Sequence, residues 1–207
     1  MVLKTLDVDQ QAQPAELKGD PYHIAPLVRG LISYYKAERV LDPTAGSGAT
    51  AKVCDEQVVP CDTCDLNDPL APMDLFDIDA EGHYDLVVLH PDVWRSRPEA
   101  DHPHDFGATM SWDAYVDLNR DAVLHLARML RPGGRIAVVA PLARKKGRVH
   151  DLARDLVCLV GEPSEPILVH PHPFCRSQGN MYGHRYIPIA HDNVVVWKKE
   201  ELIAPDE

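Results

Sequence analysis

The chain has 207 residues and a formal net charge of −11, from 21 Lys+Arg against 32 Asp+Glu. That length suits one domain with a full core. The acidic balance argues against a protein that grips bare nucleic acid unaided, because phosphate contacts supply most of such affinity. It leaves room for a local basic patch or a basic partner subunit. No run of about eighteen apolar residues is present, so no membrane association is expected. The polar first twenty residues lack the apolar core of a signal peptide, which points to the cytoplasm. Five cysteines (Cys54, Cys61, Cys64, Cys158 and Cys175) are an odd number. Cys158 falls on a predicted apolar helix face, and a disulfide framework is not expected.

Residues 1–20 read as a flexible lead-in, 21–200 as one domain and 201–207 as a tail. Within YHIAPLVRGLISYY, residues Ile24, Leu27, Val28, Leu31, Ile32 and Tyr35 repeat as one helical face. Pro26 suits its first turn, where a missing N–H costs nothing. A short apolar run then ends in Asp42 and runs into Pro43-Thr44-Ala45-Gly46-Ser47-Gly48, followed by small residues that open a helix. Strand, glycine turn and helix N-terminus together form a polar, weakly positive cradle that a ligand can approach closely. Asp65 follows Gly48 by seventeen residues, at the end of the next apolar run. An acid there is what a ribose-binding nucleotide fold requires.

Val58 to Leu66 is expected to be the second strand, and a brief third strand is placed around Asp74 to Phe76. YDLVVLH, from Tyr84 to His90, has the continuous apolar character of a central strand covered on both faces. It stops at His90-Pro91-Asp92-Val93-Trp94. Residues 95–110 are irregular and leave directly from that strand end, as an active-site lid would. A long amphipathic helix follows, with Tyr115, Leu118, Ala122, Val123, Leu126 and Met129 on its buried stripe. RPGG ends it, and RIAVVA is the next buried strand. A helix is expected over Val149–Val160, with Val149, Leu152, Leu156 and Leu159 on one side. Ile167–Val169 and Val194–Trp197 are the last strands. The alternation predicts an α/β fold built on a doubly wound, mostly parallel, seven-stranded Rossmann-like sheet.

In this order the features resemble the S-adenosylmethionine-dependent amino-methyltransferases of DNA, of the N6-adenine and N4-cytosine type. DPTAGSGAT resembles that family's cofactor loop, and PYHIAPLVRGLISYY its helix over the methionine end of the cofactor. DLNRDAVLHLARMLRPGGRIAVVAP is similar to its helix–Pro-Gly-Gly–strand segment, and IAHDNVVVWKK to its closing strand, with His191 tying that strand to its neighbours. The resemblance implies a class I methyltransferase-like fold, S-adenosyl-L-methionine as cofactor and DNA as partner. It assigns His23, Asp42, Pro43, Ala45, Gly46 and Gly48 to the cofactor. Asp65, or Asp62 as a fallback, would accept the ribose hydroxyls, and Asp74 or else Asp77 would meet the adenine amino group.

HPDVW departs from the family's Asp/Asn/Ser-Pro-Pro-aromatic line. An exocyclic base amine is a poor nucleophile because its lone pair is delocalised into the ring. Two acceptors must draw its hydrogens toward tetrahedral geometry, and a ring must stack on the flipped base. His90, Pro91 and Asp92 are the candidates for the first task. Trp94 is the candidate ring. Three readings stay open: an active enzyme on DNA, an inactive fold relative serving as a subunit, and a methyltransferase for RNA or a small molecule.

Arg144, Lys145, Lys146 and Arg148 form the dense basic cluster of an acidic chain and are placed on nucleic-acid phosphates. No sequence-reading domain is apparent, so specificity is assigned to a partner subunit or homodimer mate. Cys61-x-x-Cys64 and His170-x-His172-x-x-Cys175 lack a clean second pair at zinc-site spacing, and no metal is expected.

Overall fold

The computed structural model describes residues 24–96, 102–108, 110–171, 189 and 191–202. Within them, six strands make one sheet: β1 (Val40–Asp42), β2 (Cys61–Thr63), β3 (Tyr84–Leu89), β4 (Leu130–Ala140), β7 (Leu168–Pro171) and β8 (His191–Lys198). The spatial order is β2-β1-β3-β4-β8-β7. β2, β1, β3 and β4 are mutually parallel, and β8 runs antiparallel to both β4 and β7. The third strand expected around Asp74 to Phe76 is instead a single 3-10 turn, Leu75–Asp77. Asp74 causes this locally: its carboxylate accepts the N–H of Phe76 at 3.0 Å, which closes a turn and competes with strand pairing.

Alternate strand residues feed two cores, as the period-two geometry of strands requires. Val40, Leu86, Val88, Ala137, Val139, Val194 and Val196 pack with α1 (Ala25–Tyr35) and α2 (Ala49–Gln57). Leu41, Val87, Leu89, Ile136, Val138, Val195 and Trp197 pack on the other side with α3 (Trp112–Met129) and α4 (Leu152–Val160). In α1 the predicted face is the buried one, through Leu27, Val28, Leu31 and Ile32, with proline in its first turn. In α3, Tyr115, Ala122, Val123, Leu126 and Met129 are buried, and Ser111 caps the N-terminus by accepting from Ala114 N–H at 3.1 Å.

The helix expected over Val149–Val160 begins only at Leu152. Before it, β5 (Leu142–Lys145) and β6 (Arg148–Asp151) form a separate antiparallel hairpin. Lys146 and Gly147 both have positive φ, 47° and 80°, the two-residue turn that matches strand twist. Val149 is therefore on an exposed strand, and Leu159 and Cys158 are on the exposed side of α4. Among the described residues no helix is long and apolar enough to cross a membrane.

The Pro-Gly-Gly segment enters β4 with a register shift against β3, between Tyr84 and Leu86. A Cβ on Gly134 would lie 2.9 Å from the Arg131 carbonyl oxygen, 3.0 Å from that of Tyr84 and 3.1 Å from Leu130 Cβ. Two of the three are backbone atoms of paired strands and cannot step aside. Gly134→Ala is expected to cost about 1–3 kcal/mol, read as a lower urea midpoint with an unchanged slope.

Candidate functional site

The strand order reverses between β1 and β3, because the chain proceeds outward to β2 from one and to β4 from the other. In open parallel sheets, ligands sit beyond the carboxyl ends of the strands at that point. A cavity of about 620 Å³ lies there. Its walls come from three strand ends: residues 43–47 after β1, 64–69 after β2 and 90–93 after β3. Ile24, at the start of α1, and Ala49, at the start of α2, complete that side.

Pro43, Ala45, Gly46, Asp65 and Asp74 line the cavity as expected, and so do His90, Pro91 and Asp92. Gly46 and Gly48 have φ of 49° and 77°, a backbone region costly for residues with a Cβ. Gly48 does not line the cavity; it caps α2. His23 lies outside the described residues.

Asp42 occupies a different place from the one expected. It is 1% exposed and sits beneath the loop rather than on the cavity wall. Its Oδ1 accepts the Thr44 N–H at 3.0 Å and lies 3.5 Å from the Thr44 hydroxyl. That hydroxyl in turn accepts the His90 N–H at 3.0 Å. Asp42 thus fixes the glycine loop and, through Thr44, the end of β3. Burial holds its carboxyl above the ordinary value, against the opposing hydrogen bonds from Thr50 and Thr44.

Asp65 is clasped onto the loop: its Oδ2 accepts the Gly46 N–H at 2.7 Å and its Oδ1 the Asn67 N–H at 2.7 Å. Asp62, the fallback acid, is committed elsewhere. Its Oδ2 accepts from Arg39 Nη2 at 2.8 Å and from the Tyr84 hydroxyl at 2.9 Å, and it does not line the cavity. The Arg39 guanidinium, then the Tyr84 hydroxyl, hold its carboxyl below the usual range against desolvation. Asp77 is also absent from the walls. Asp74 is present, with Oδ1 bonded to Phe76 N–H at 3.0 Å and Oδ2 to His104 Nδ1 at 2.5 Å.

Trp94 does not replace the missing ring. Its Nε1–H donates to the Met110 carbonyl at 3.0 Å, and its ring packs edge-on against Trp112 at 5.3 Å and beside His150 at 4.9 Å. Val93 faces the cavity in its place. Arg144, Lys145, Lys146 and Arg148 are on the β5–β6 hairpin and contribute nothing to the cavity wall.

Several contributors escaped the sequence reading. Thr44 was visible only as a loop residue, and its link to His90 spans 46 positions. Tyr115, fully buried on α3, donates from its hydroxyl to the Asp92 carbonyl at 2.8 Å and so holds the strand end from below. His104, Asp105 and Phe106, from the irregular 95–110 stretch, return to the cavity wall. Residues 97–101 and 109 of that stretch lie outside the described residues. Cys61 and Cys64 do not converge: Cys61 Sγ lies 3.8 Å from the Asp62 carbonyl, while Cys64 Sγ lies 3.6 Å from the Pro43 carbonyl. Burial pushes the Cys64 thiol up to about 12, so it stays protonated.

No protein-family model matches the chain, and no curated protein matches it. Solved structures do match. The 1,6-didemethyltoxoflavin N1-methyltransferase of Burkholderia thailandensis, crystallised with 1,6-didemethyltoxoflavin and S-adenosylhomocysteine, aligns at TM-score 0.51 and 18% identity, over 87% of this chain and 80% of that one. The PH0226 protein of Pyrococcus horikoshii aligns over 93% of both chains at 11% identity and TM-score 0.49. The 16S rRNA N2 G1207 methyltransferase of T. thermophilus, in complex with AdoMet and guanosine, aligns at 17% identity and TM-score 0.45, over 91% of this chain and 42% of that one. In several matches the aligned part covers less than half of the other chain. The fold is the class I, Rossmann-like methyltransferase fold. The likeness to the Burkholderia enzyme extends to the class I fold.

The raised carboxyl of Asp42 has a signed consequence. An acid that keeps its proton longer when folded contributes most stability below its unfolded value of about 3.9. That contribution is lost as pH rises from there through the folded value. Asp42→Asn keeps the Oδ1 acceptor and removes the buried charge. Its melting temperature relative to the parent is expected to rise between pH 4 and pH 7, measured by thermal unfolding at both.

Proposed function

We propose that this chain is an S-adenosyl-L-methionine-dependent methyltransferase acting on a nitrogen of a neutral or cationic small acceptor. The observation that carries it is the composition of one cavity at the switch point. It joins the glycine loop, the Asp65 clasp and the His90–Pro91–Asp92 strand end. Five aspartates line it (Asp65, Asp68, Asp74, Asp92 and Asp105), and among the described residues no lysine or arginine does. Such a wall suits a sulfonium cofactor, which carries a positive charge, and disfavours a polyanionic acceptor. The volume is in the range of cofactor pockets.

The cofactor would supply an electrophilic methyl group: the acceptor lone pair forms the N–CH3 bond as the S–CH3 bond breaks, leaving a neutral thioether. The chain's part is positioning and proton removal. The glycine loop would lie against the cofactor's amino-acid end, and Asp65, whose carboxylate oxygens can each accept a further hydrogen bond, would meet its ribose hydroxyls. His90 and Asp92 stand at the strand end where the acceptor nitrogen must lie, and either can accept its proton. Thr44 and Tyr115 keep that strand end in register with the loop.

A second reading, methylation of an exocyclic amine of a DNA base, draws support from the β5–β6 hairpin. Lys145, Lys146 and Arg148 are exposed there, and His150 of the same hairpin touches Trp94, four residues from His90. In that reading the hairpin would meet phosphates, with a partner subunit or homodimer mate supplying specificity.

Labelled methyl transfer from S-adenosyl-L-methionine onto small aromatic and aliphatic amines, DNA and RNA separates these readings. The proposal expects incorporation into small amines that falls at least a hundredfold in His90→Ala, with cofactor affinity changed by only a few-fold. Incorporation into DNA that is lost with the hairpin cations removed would select the second reading. Cofactor binding with no transfer to any acceptor would leave an inactive binding subunit.

A further inference from the structure

We propose that Asp74, His102 and His104 form a binding site for one divalent first-row transition metal ion at the rim of the cavity. One ligand atom from each residue lies within 4.8 Å of the others. The two imidazoles converge on a single carboxylate oxygen: His104 Nδ1 is 2.5 Å from Asp74 Oδ2, and His102 Nδ1 is 3.8 Å from it. Two imidazole nitrogens and one carboxylate oxygen are the donor set of open, three-ligand zinc and non-haem iron centres.

The surroundings orient these donors. Asp74 Oδ1 is pinned by the Phe76 N–H at 3.0 Å, which leaves Oδ2 for the histidines. The Phe76 ring packs on His104 at 4.4 Å between centroids, limiting its rotation. Such outer contacts typically change metal affinity by about 10–100-fold. The Asp74 side chain is only 10% exposed, whereas His102 and His104 are 42% and 37% exposed, so an ion has a route in. The described ion-pair partners of Asp74 are these two histidines, with no lysine or arginine to repel a cation.

Asp74 and His104 both line the cavity. An ion held there would keep coordination positions free for an oxygen or nitrogen of the acceptor. Its three ligands lie outside the glycine loop, although Asp74 and His104 share the wall of the proposed cofactor cavity. It also reassigns Asp74 away from the adenine amino group.

The test uses the full chain, stripped with a chelator and titrated with cobalt(II) chloride alone in the absence of any cofactor. One equivalent should saturate a weak visible absorption with no thiolate-to-metal charge-transfer band. His102→Ala and His104→Ala should each weaken binding at least tenfold. Cys61→Ser/Cys64→Ser and His172→Ala/Cys175→Ser should leave it unchanged. Circular dichroism identifies variants that keep the native fold, and the half-exposed His102 supplies the decisive one if His104→Ala does not. No saturable binding, a thiolate band, or unchanged affinity in folded His102→Ala would overturn the proposal. Because no S-adenosyl-L-methionine is present, a failed cofactor reading would not affect this result.

Discussion

A buried carboxylate sits under everything that makes this cavity a site. Asp42 ends β1 with almost no exposure, and its Oδ1 takes the Thr44 N–H. Thr44 then takes the His90 N–H on its own hydroxyl. Two loops from adjacent parallel strands are thereby fixed to each other, one shaped to cradle a ligand and the other ending in reactive side chains. The arrangement carries an electrostatic cost, since burial disfavours the charged acid and raises its carboxyl. The Thr44 N–H and hydroxyl offset part of that cost. A polar group retained in a core despite such a penalty points to positioning rather than to stability.

The second strand is joined to the same frame by backbone contacts. Cys64 N–H donates to the Asp42 carbonyl at 3.0 Å, and Ala45 N–H donates to the Cys64 carbonyl at 3.0 Å. Asp65, the next residue, closes onto Gly46. The ends of β2 and β3 are therefore both tied to the loop after β1, while the wall contributed by His104, Asp105 and Phe106 arrives from an irregular stretch. Stiff strand ends for binding and a long loop for acceptor contacts is the usual division in α/β enzymes.

The parts legible in the sequence were those decided within a few residues. The VLDPTAGSGAT turn announces itself through glycines that need positive φ, and α1 and α3 through apolar periodicity alone. Parts decided by distant partners were not legible. Asp74 reads as the start of a brief strand, yet its carboxylate closes a 3-10 turn and meets a histidine thirty positions away. Trp94 looked like a stacking ring because it follows the strand end, but α3 and the hairpin supply Trp112 and His150, which take it out of the cavity. The hairpin turns on Lys146-Gly147, whose positive φ values are set by the pairing of the flanking strands and not by the local basic charge. Asp42 and Asp62 were both visible as acids near the turn; only burial and pairing show that one supports the loop and the other ties Arg39 to Tyr84.

The fold is that of class I methyltransferases, and the cavity between β1, β2 and β3 is the proposed cofactor site. Isothermal titration of the full chain with S-adenosylhomocysteine tests it without reference to any acceptor. The account predicts saturable one-to-one binding in the micromolar range, weakened at least tenfold in Asp65→Ala. Heat no greater than dilution up to millimolar ligand, or equal affinity in a folded Asp65→Ala variant, would contradict it.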